Sequence, residues 1–147
     1  MKTFALKIVT PEKLLLEKEV VSVTLPLLDG EATILAEHEA YIGICKAGGV
    51  STKDSEGREE IFATSGGFIE FHNNTLVVLA DTAEPAEAID LARAEEAKKR
   101  AEELMASTSV YDEEAYERTA ALLEKELARL RIGRHHASQG RVSINQN

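Results

Sequence analysis

The polar residues of this sequence that are best suited to bind a ligand begin at Asp90. Arg93 follows three residues later and Arg100 seven residues after that, so the three side chains would share one face of a helix. A guanidinium group donates several charge-assisted hydrogen bonds to phosphate, and a carboxylate can orient a sugar or an amino group. The same spacing also predicts an Asp90–Arg93 pair that only stabilises the helix.

A second set of basic residues lies near the end of the chain. Arg129, Arg131 and Arg134 occur after Glu126, and no acidic residue follows them. An arginine cluster of this kind is attracted to an acidic protein surface. The alternative is a solvated helix end whose cations interact with the helix dipole.

Other patterns that could indicate chemistry are incomplete. Gly66-Gly67 lacks the Lys-Ser/Thr ending and the following helix of a phosphate-binding loop, and a strand turn that needs glycine explains it better. His135-His136 alone supply too few ligands for a metal. The single Cys45 excludes an internal disulfide and a cysteine-based zinc site, and it predicts a buried structural thiol. Because no Ser/His/Asp or Cys/His arrangement can be built, the sequence predicts no catalytic residue and no metal site.

The elements that would position these residues change character between Asp81 and Pro85. Before this segment, short runs of branched and aromatic residues alternate with turn signals, which is typical of a β-sandwich or barrel. After it, Ala, Glu, Lys, Arg and Leu dominate, and these residues favour helices. The predicted fold class is therefore β plus α. An N-terminal β-sandwich over residues 1–84 precedes a C-terminal antiparallel two-helix hairpin over 85–133 and a flexible basic tail over 134–147.

Turn and capping residues predict where individual elements begin and end. Asn73 and Asn74 predict a tight turn between two strands, because asparagine tolerates positive φ. Ser109, with Asp112 three residues later, predicts a capping box at the start of the second helix. Gly133 predicts the end of that helix.

The composition bounds the class of protein. The 147 residues include 17 basic and 26 acidic side chains, which gives a net charge of −9 and argues against binding to nucleic acid or to an anionic membrane. No apolar run is long enough to span a bilayer, and the residues from Met1 to Phe4 lack the features of a signal or transit peptide. We expect a soluble protein in a reducing compartment.

Several fragments of the sequence follow one another in an order typical of one family. They are TLP at 24–26 with DGE at 29–31, His38, SGGFIE at 65–70, VVLADTAE at 77–84 and IDLARAEEA at 89–97. In these fragments the chain resembles the epsilon subunits of rotary F-type ATP synthases, and the resemblance covers nearly its whole length. It implies a β-sandwich that sits on the central stalk and touches the membrane rotor ring. It also implies a helical hairpin that either folds against the sandwich or extends along the stalk and inhibits ATP hydrolysis.

The resemblance implies a non-catalytic coupling and regulatory subunit. Its partners would be the gamma subunit, the rotor c-ring and the alpha and beta subunits of a proton- or sodium-translocating synthase. It would lie peripherally on the cytoplasmic face of the cell inner membrane, held there through the complex, and would require no cofactor. The alternative is a free-standing ATP-sensing module outside the synthase.

The resemblance also implies a regulatory ATP site at the start of the first helix. Residues 89–94 match the Ile/Leu-Asp-x-x-Arg-Ala motif with which some bacterial members of the family bind ATP. Asp90 and Arg93 belong to this motif, and Arg100 would join them on the same helix face.

Two residues of the second helix would complete that site by resemblance. Lys125 and Arg129 align with basic positions that complete it in those relatives. Lysine keeps the charge but loses the planar fork of arginine. The carboxylates of Glu124 and Glu126 beside Lys125 would repel phosphate.

Two protein contacts are implied as well. Glu31 and His38 occupy positions that the family turns toward the polar loops of the rotor ring, with solvated loop residues as the alternative. Arg129, Arg131 and Arg134 would make the inhibitory contact with acidic segments of the catalytic subunits.

Overall fold

The computed structural model describes the backbone of residues 1–144 and the side chains of residues 1–139. The chain divides into two compact units, the first from Met1 to Pro85 and the second from Ala86 onward. The first unit contains ten β-strands and the second contains helices. The predicted fold class, a β-sandwich followed by a helical hairpin, is confirmed.

The strands of the first unit are short and closely spaced, as turn signals at this spacing require. They are β1 (Phe4–Val9), β2 (Leu14–Val20), β3 (Ser22–Leu27), β4 (Gly30–Leu35), β5 (Tyr41–Cys45), β6 (Gly48–Lys53), β7 (Glu59–Thr64), β8 (Gly67–His72), β9 (Thr75–Ala80) and β10 (Ala83–Pro85). Asn73 and Asn74 join β8 to β9 with positive φ at both residues, so the predicted tight turn is confirmed.

The strands form one sheet in the order β10-β7-β6-β3-β5-β8-β9-β1-β2, with β4 paired to β3. The chain pairs β1 with β9 in parallel, and the other recorded strand pairs are antiparallel. Lys18 of β2 forms an ion pair with Glu60 of β7, although these strands lie near opposite ends of the sheet order. The sheet therefore wraps round on itself and encloses a core between two layers.

The core of the first unit follows the two-residue period of its strands. Phe4, Leu6 and Ile8 of β1 are buried, while the residues between them are half-buried. Phe4 packs edge to face against Phe71 with ring centroids 5.6 Å apart. Cys45 is also buried, as predicted, and burial raises the pKa of its thiol to about 11.

Gly66 and Gly67 form a strand junction, as predicted. Both have positive φ, at 118° and 148°. A Cβ atom on Gly67 would lie 2.0 Å from the carbonyl oxygen of Leu79 in the neighbouring strand. The pair is therefore required by the approach of two strands, and no helix follows it.

The second unit opens with a 3-10 turn over Ala86–Ala88 and contains two helices, α1 (Leu91–Ser107) and α2 (Glu113–Ile144). Asp112 caps α2, because its Oδ1 atom accepts a hydrogen bond of 3.2 Å from the amide of Ala115. The predicted capping box that begins at Ser109 is therefore wrong. Ser109 instead accepts a hydrogen bond from the amide of Tyr111 in the turn before the helix.

The predicted end of the second helix at Gly133 is also wrong, because α2 continues through this residue to Ile144. Gly133 is buried, and a Cβ atom there would lie 2.8 Å from Cδ2 of Leu91 and 3.0 Å from Cγ2 of Ile89. The glycine serves close packing inside a helix, at a propensity cost of about 1 kcal/mol. The tail predicted to be flexible is helical over residues 134–144, and its last three residues lie outside the described chain.

None of the helices in the part of the chain described here is both long and apolar enough to cross a membrane.

Candidate functional site

The start of α1 is built around Asp90. Its Oδ1 atom accepts a hydrogen bond of 3.1 Å from the amide of Arg93, which makes Asp90 the N-cap of the helix. The Oδ2 atom lies 3.9 Å from Nε of Arg93, and the Arg93 side chain is 84% exposed. The structure is compatible with both interpretations of this pair. Asp90 stabilises the start of the helix, and the guanidinium group of Arg93 still faces solvent, where it could bind a ligand.

The basic residue of α2 predicted to face the same ligand is already paired. Nη1 of Arg129 donates a hydrogen bond of 2.8 Å to Oε2 of Glu126. The side chains of Arg129 and Glu126 are 20% and 9% exposed. A phosphate that binds Arg129 would have to compete with this carboxylate.

The register of the two helices follows from contacts near the end of α2. Gly133 lies against Ile89 and Leu91, and Arg134 forms an ion pair with Glu95 of α1. Because the helices run antiparallel, each step back along α2 corresponds to one step forward along α1.

This register decides which of the predicted ligands lie at the same level. It places Arg129 between the levels of Arg93 and Arg100, and Lys125 close to the level of Arg100. Arg93 and Arg100 are exposed, whereas Lys125 and Arg129 are half-buried. The five predicted ATP ligands therefore belong to one stretch of the hairpin, although a cleft of about 400 Å³ beside α1 is lined by other residues. Those residues are Glu95, Glu96, Lys98, Lys99 and Glu102.

The two residues predicted to face a rotor ring lie in the first unit. Glu31 is exposed near the start of β4, where it is paired with Pro26 of β3. His38 is exposed in the loop after β4, where its Nδ1 atom lies 2.7 Å from the carbonyl oxygen of Glu39. Its ring packs edge to face against Phe71 with centroids 5.6 Å apart.

The loop that carries His38 is anchored through Glu37, the residue before it. The amide of Glu37 donates a hydrogen bond of 2.8 Å to Asn74, and the Glu37 carboxylate forms a 2.6 Å ion pair with Lys2. Asn74 in turn donates to the carbonyl oxygen of Thr3. These contacts fix the backbone on which His38 is presented.

An exposed apolar stripe crosses three neighbouring strands of the first unit. It consists of Ile42 and Ile44 on β5, Phe68 on β8 and Leu79 on β9, and these side chains are between 47% and 75% exposed. Ile44 pairs with Phe68 across the sheet, and Phe68 pairs with Leu79. Sequence reasoning missed this stripe, although β5, β8 and β9 each carry at least one exposed apolar side chain in addition to their buried residues. A contiguous apolar row of this kind marks an interaction surface.

Within the described residues, no group of three or more His, Cys, Asp or Glu side chains is placed to hold a metal ion. His135 and His136 are both exposed on α2, and the ring of His135 contacts Gln139 at 3.0 Å.

Comparison with known families identifies the chain. Residues 3–86 match the model for the β-sandwich domain of the ATP synthase delta/epsilon chain, and residues 87–133 match the model for its long α-helix domain. The chain belongs to the ATP synthase delta/epsilon chain family. The boundary between the two matched domains falls beside the division between the two compact units.

Individual relatives agree with this assignment. The ATP synthase epsilon chain of Desulfitobacterium hafniense is 39% identical over 133 residues, which cover 90% of this chain and 98% of the relative. The epsilon chain of Clostridium novyi is 41% identical over 111 residues, which cover 76% and 85%. In fold, the chain is similar to one in a mitochondrial ATP synthase of Euglena gracilis, with a TM-score of 0.71, 22% identity, and coverage of 83% of this chain and 76% of that one.

The family resemblance found in the sequence is therefore confirmed. The predicted class, a non-catalytic rotor subunit of the ATP synthase, is confirmed at the level of the family. The individual roles given to Glu31, His38 and the basic residues of the hairpin stay predictions. The match to the helical domain ends at residue 133, whereas α2 continues for eleven more residues, to Ile144.

Replacing Gly133 by leucine should weaken the hairpin, because the new side chain would collide with Leu91 and Ile89. We expect a loss of about 1–3 kcal/mol in the free energy of unfolding of the helical unit. Thermal unfolding followed by circular dichroism at 222 nm measures it. Ala137→Leu is the matched control, because Ala137 is exposed one turn further along α2. Equal stability of the two variants would contradict the close approach.

Proposed function

We propose that this chain is a central-stalk rotor subunit that couples the catalytic head of an F-type ATP synthase to its membrane ring and restrains ATP hydrolysis through its helices. The single observation that supports this proposal best is the division into two units that coincide with the two family domains. One unit has a large apolar core and an exposed apolar stripe, which suits permanent docking. The other is a hairpin in which the buried side chains of α1 are the alanines Ala94 and Ala101, which suits movement.

The exposed apolar stripe is proposed to bind the gamma subunit of the stalk. Ile44, Phe68 and Leu79 are paired across three adjacent strands, and together with Ile42 they offer the kind of core that a stable protein interface buries. Fully burying a side chain such as Phe68 contributes about 1.5–3 kcal/mol. The stripe therefore gives the sandwich a firm attachment that does not depend on charge.

Glu31 and His38 are proposed to contact the polar loops of the rotor c-ring. Both side chains are exposed, so they are accessible to a partner. The anchored loop keeps the imidazole in one place, as a contact that sets rotational register would need.

The basic end of α2 is proposed to make the inhibitory contact with acidic segments of the alpha and beta subunits. Arg129, Arg131 and Arg134 lie on α2, and no acidic residue follows Glu126. Such a contact would be formed by electrostatic attraction and would weaken with salt.

Regulatory ATP binding is proposed at Asp90, Arg93, Arg100, Lys125 and Arg129. The exposed guanidinium groups of α1 and the shared level of the two α2 residues support it. The carboxylate of Glu126 opposes it, because it already holds Arg129. A nucleotide that binds here acts on the hairpin only through its different affinity for the folded and extended states.

We place the chain on the cytoplasmic face of the cell inner membrane, attached through the complex. The bacterial origin of the relatives supports this location. The alternative, a free-standing ATP-sensing module, requires a chain that does not stay with the synthase.

Recovery of the tagged chain from native membranes in mild detergent tests the coupling role. We expect the gamma, alpha and beta subunits and the c-ring to stay bound through a salt wash. In the double variant Ile44→Ser with Phe68→Ser, the amount of gamma subunit that stays bound should fall by about tenfold or more, because the variant removes apolar surface from the interface. Leu14→Ser is the matched control, because Leu14 is exposed on β2 outside the stripe. Recovery of the chain alone from an intact synthase would support the free-standing alternative.

Removal of the hairpin tests the inhibitory role. A chain that ends at Ala86 keeps all ten strands and should assemble into the complex. ATP hydrolysis by that complex should be about fivefold faster or more, the size of an ordinary regulatory coupling. Steady-state ATPase assays measure the difference. Loss of assembly would show that the helices are structural instead.

Substitution of Arg93 by alanine tests the ATP site. Loss of an exposed guanidinium that binds phosphate should weaken nucleotide binding by about tenfold or more while the sandwich stays folded. Titration calorimetry with ATP measures the affinity. Arg118→Ala is the control, because Arg118 is also an exposed arginine with an acidic partner, Glu114, on α2. Unchanged ATP affinity in Arg93→Ala would refute the assignment.

A further inference from the structure

Two of the three arginines proposed to make the inhibitory contact have acidic partners inside the hairpin. Arg129 pairs with Glu126 at 2.8 Å, and Arg134 pairs with Glu95. Arg131 is exposed and has no ion pair with any residue in the described part of the chain. In this conformation the hairpin therefore presents one free guanidinium of three to a partner.

The two ion pairs differ in the parts of the hairpin that they join. Glu126 and Arg129 lie three residues apart on α2 and are largely buried, so their pair orients the arginine within its own helix. Glu95 and Arg134 lie 39 residues apart and join α1 to α2. The Glu95–Arg134 pair lies directly beside the contact of Gly133 with α1. Separation of the end of α2 from α1 therefore breaks this ion pair together with the Gly133 contact.

We infer that Glu95 and Glu126 form an internal mask over the inhibitory arginines. The two carboxylates bind the same guanidinium groups that an acidic partner surface would bind, so that surface must displace them. Opening of the hairpin near Gly133 removes the mask from Arg134 and exposes the Glu126–Arg129 pair to water. This inference rests on the proposed inhibitory function, and it assigns the regulation of that contact to residues of this chain.

The two acids should contribute unequally. The Glu95–Arg134 pair is about half exposed, and exposed pairs change an equilibrium by about twofold to fivefold. Glu126 is 9% exposed, and removal of one partner from a buried pair has a larger effect, about tenfold or more. Glu95 is therefore the part of the mask that thermal motion releases first.

The test uses the full-length chain and two neutral variants, Glu95→Gln and Glu126→Gln. Each has a matched control with the same change of charge, because Glu96 is exposed beside Glu95 and Glu124 is exposed two residues before Glu126. Amide hydrogen exchange over residues 127–139 measures the opening of α2 in the isolated chain. Inhibition of ATP hydrolysis is then measured after each variant is added to a synthase that lacks this subunit.

We expect exchange in Glu95→Gln to be at least twofold faster than in Glu96→Gln, and exchange in Glu126→Gln to be faster still, with stronger inhibition by both. Exchange equal to that of the controls would overturn the mask. Faster exchange with unchanged inhibition would overturn its regulatory role. The double variant Glu95→Arg with Arg134→Glu should return exchange to the wild-type rate, since it restores the pair with its charges reversed.

Failure of the proposed function would be distinguishable from failure of the mask. If the wild-type chain inhibits no more than a chain that ends at Ala86, the inhibitory role fails whatever the variants do. The exchange rates of the isolated chain still decide whether the two acids hold the end of α2.

Discussion

The close approach of α1 and α2 at Gly133 sets the arrangement of the helical unit. A side chain at this position would overlap Leu91 and Ile89, so the helix backbone reaches α1 only because the residue is glycine. That contact fixes the antiparallel register, and the register brings Arg134 to Glu95 and Arg129 to the level between Arg93 and Arg100. The Glu95–Arg134 pair and the level of Lys125 and Arg129 relative to α1 both depend on this one point of packing.

The sandwich satisfies a different constraint. Its strands bury one face in the core, where Phe4, Phe71 and Ile69 are almost fully enclosed. On the outer face of β5, β8 and β9, Ile44, Phe68 and Leu79 form an apolar row exposed to water, beside the polar Glu70 and His72 of β8. A contiguous row of exposed apolar side chains marks an interaction surface. Attachment to another chain of the complex, as proposed above, would cover this row.

Much of this fold could be predicted from local sequence signals. Asn73-Asn74 predicts its turn because few other residues accept positive φ, and the change of period near Pro85 predicts the two architectures. Gly133 and Ser109 show where local signals fail. A glycine near a helix end fits a C-cap and a close packing contact equally well, and the residues that decide between them lie more than forty positions away in sequence. Asp112, and not Ser109, caps α2. The Asp112 carboxylate accepts a hydrogen bond from the amide of Ala115, which is the bond that the sequence predicted for Ser109 one turn earlier.

The candidate site shows the same division. Spacing alone predicts that Asp90, Arg93 and Arg100 share a helix face, since this needs only the helical period. It does not predict that Arg134 has a partner in Glu95, because that pair depends on the register between two helices. The exposed stripe was missed for a related reason, since alternation identifies which residues can be buried but not which face remains uncovered.

The placement of the basic residues limits how a nucleotide could act on the hairpin. A ligand shifts an equilibrium between two conformations only if it binds one of them more tightly. Asp90, Arg93 and Arg100 all belong to α1, and their relative positions are the same whether or not α2 lies alongside. A nucleotide held by these three alone would therefore leave the hairpin unchanged, however tightly it bound. Regulation requires contacts from α2, and at the level of Arg100 these come from Lys125 and Arg129. Because Glu126 already binds Arg129, the nucleotide gains from Arg129 only the difference between the binding of its own phosphate and that of the carboxylate. Glu126, which lies outside the predicted binding motif, therefore limits how much Arg129 could contribute to regulation by ATP.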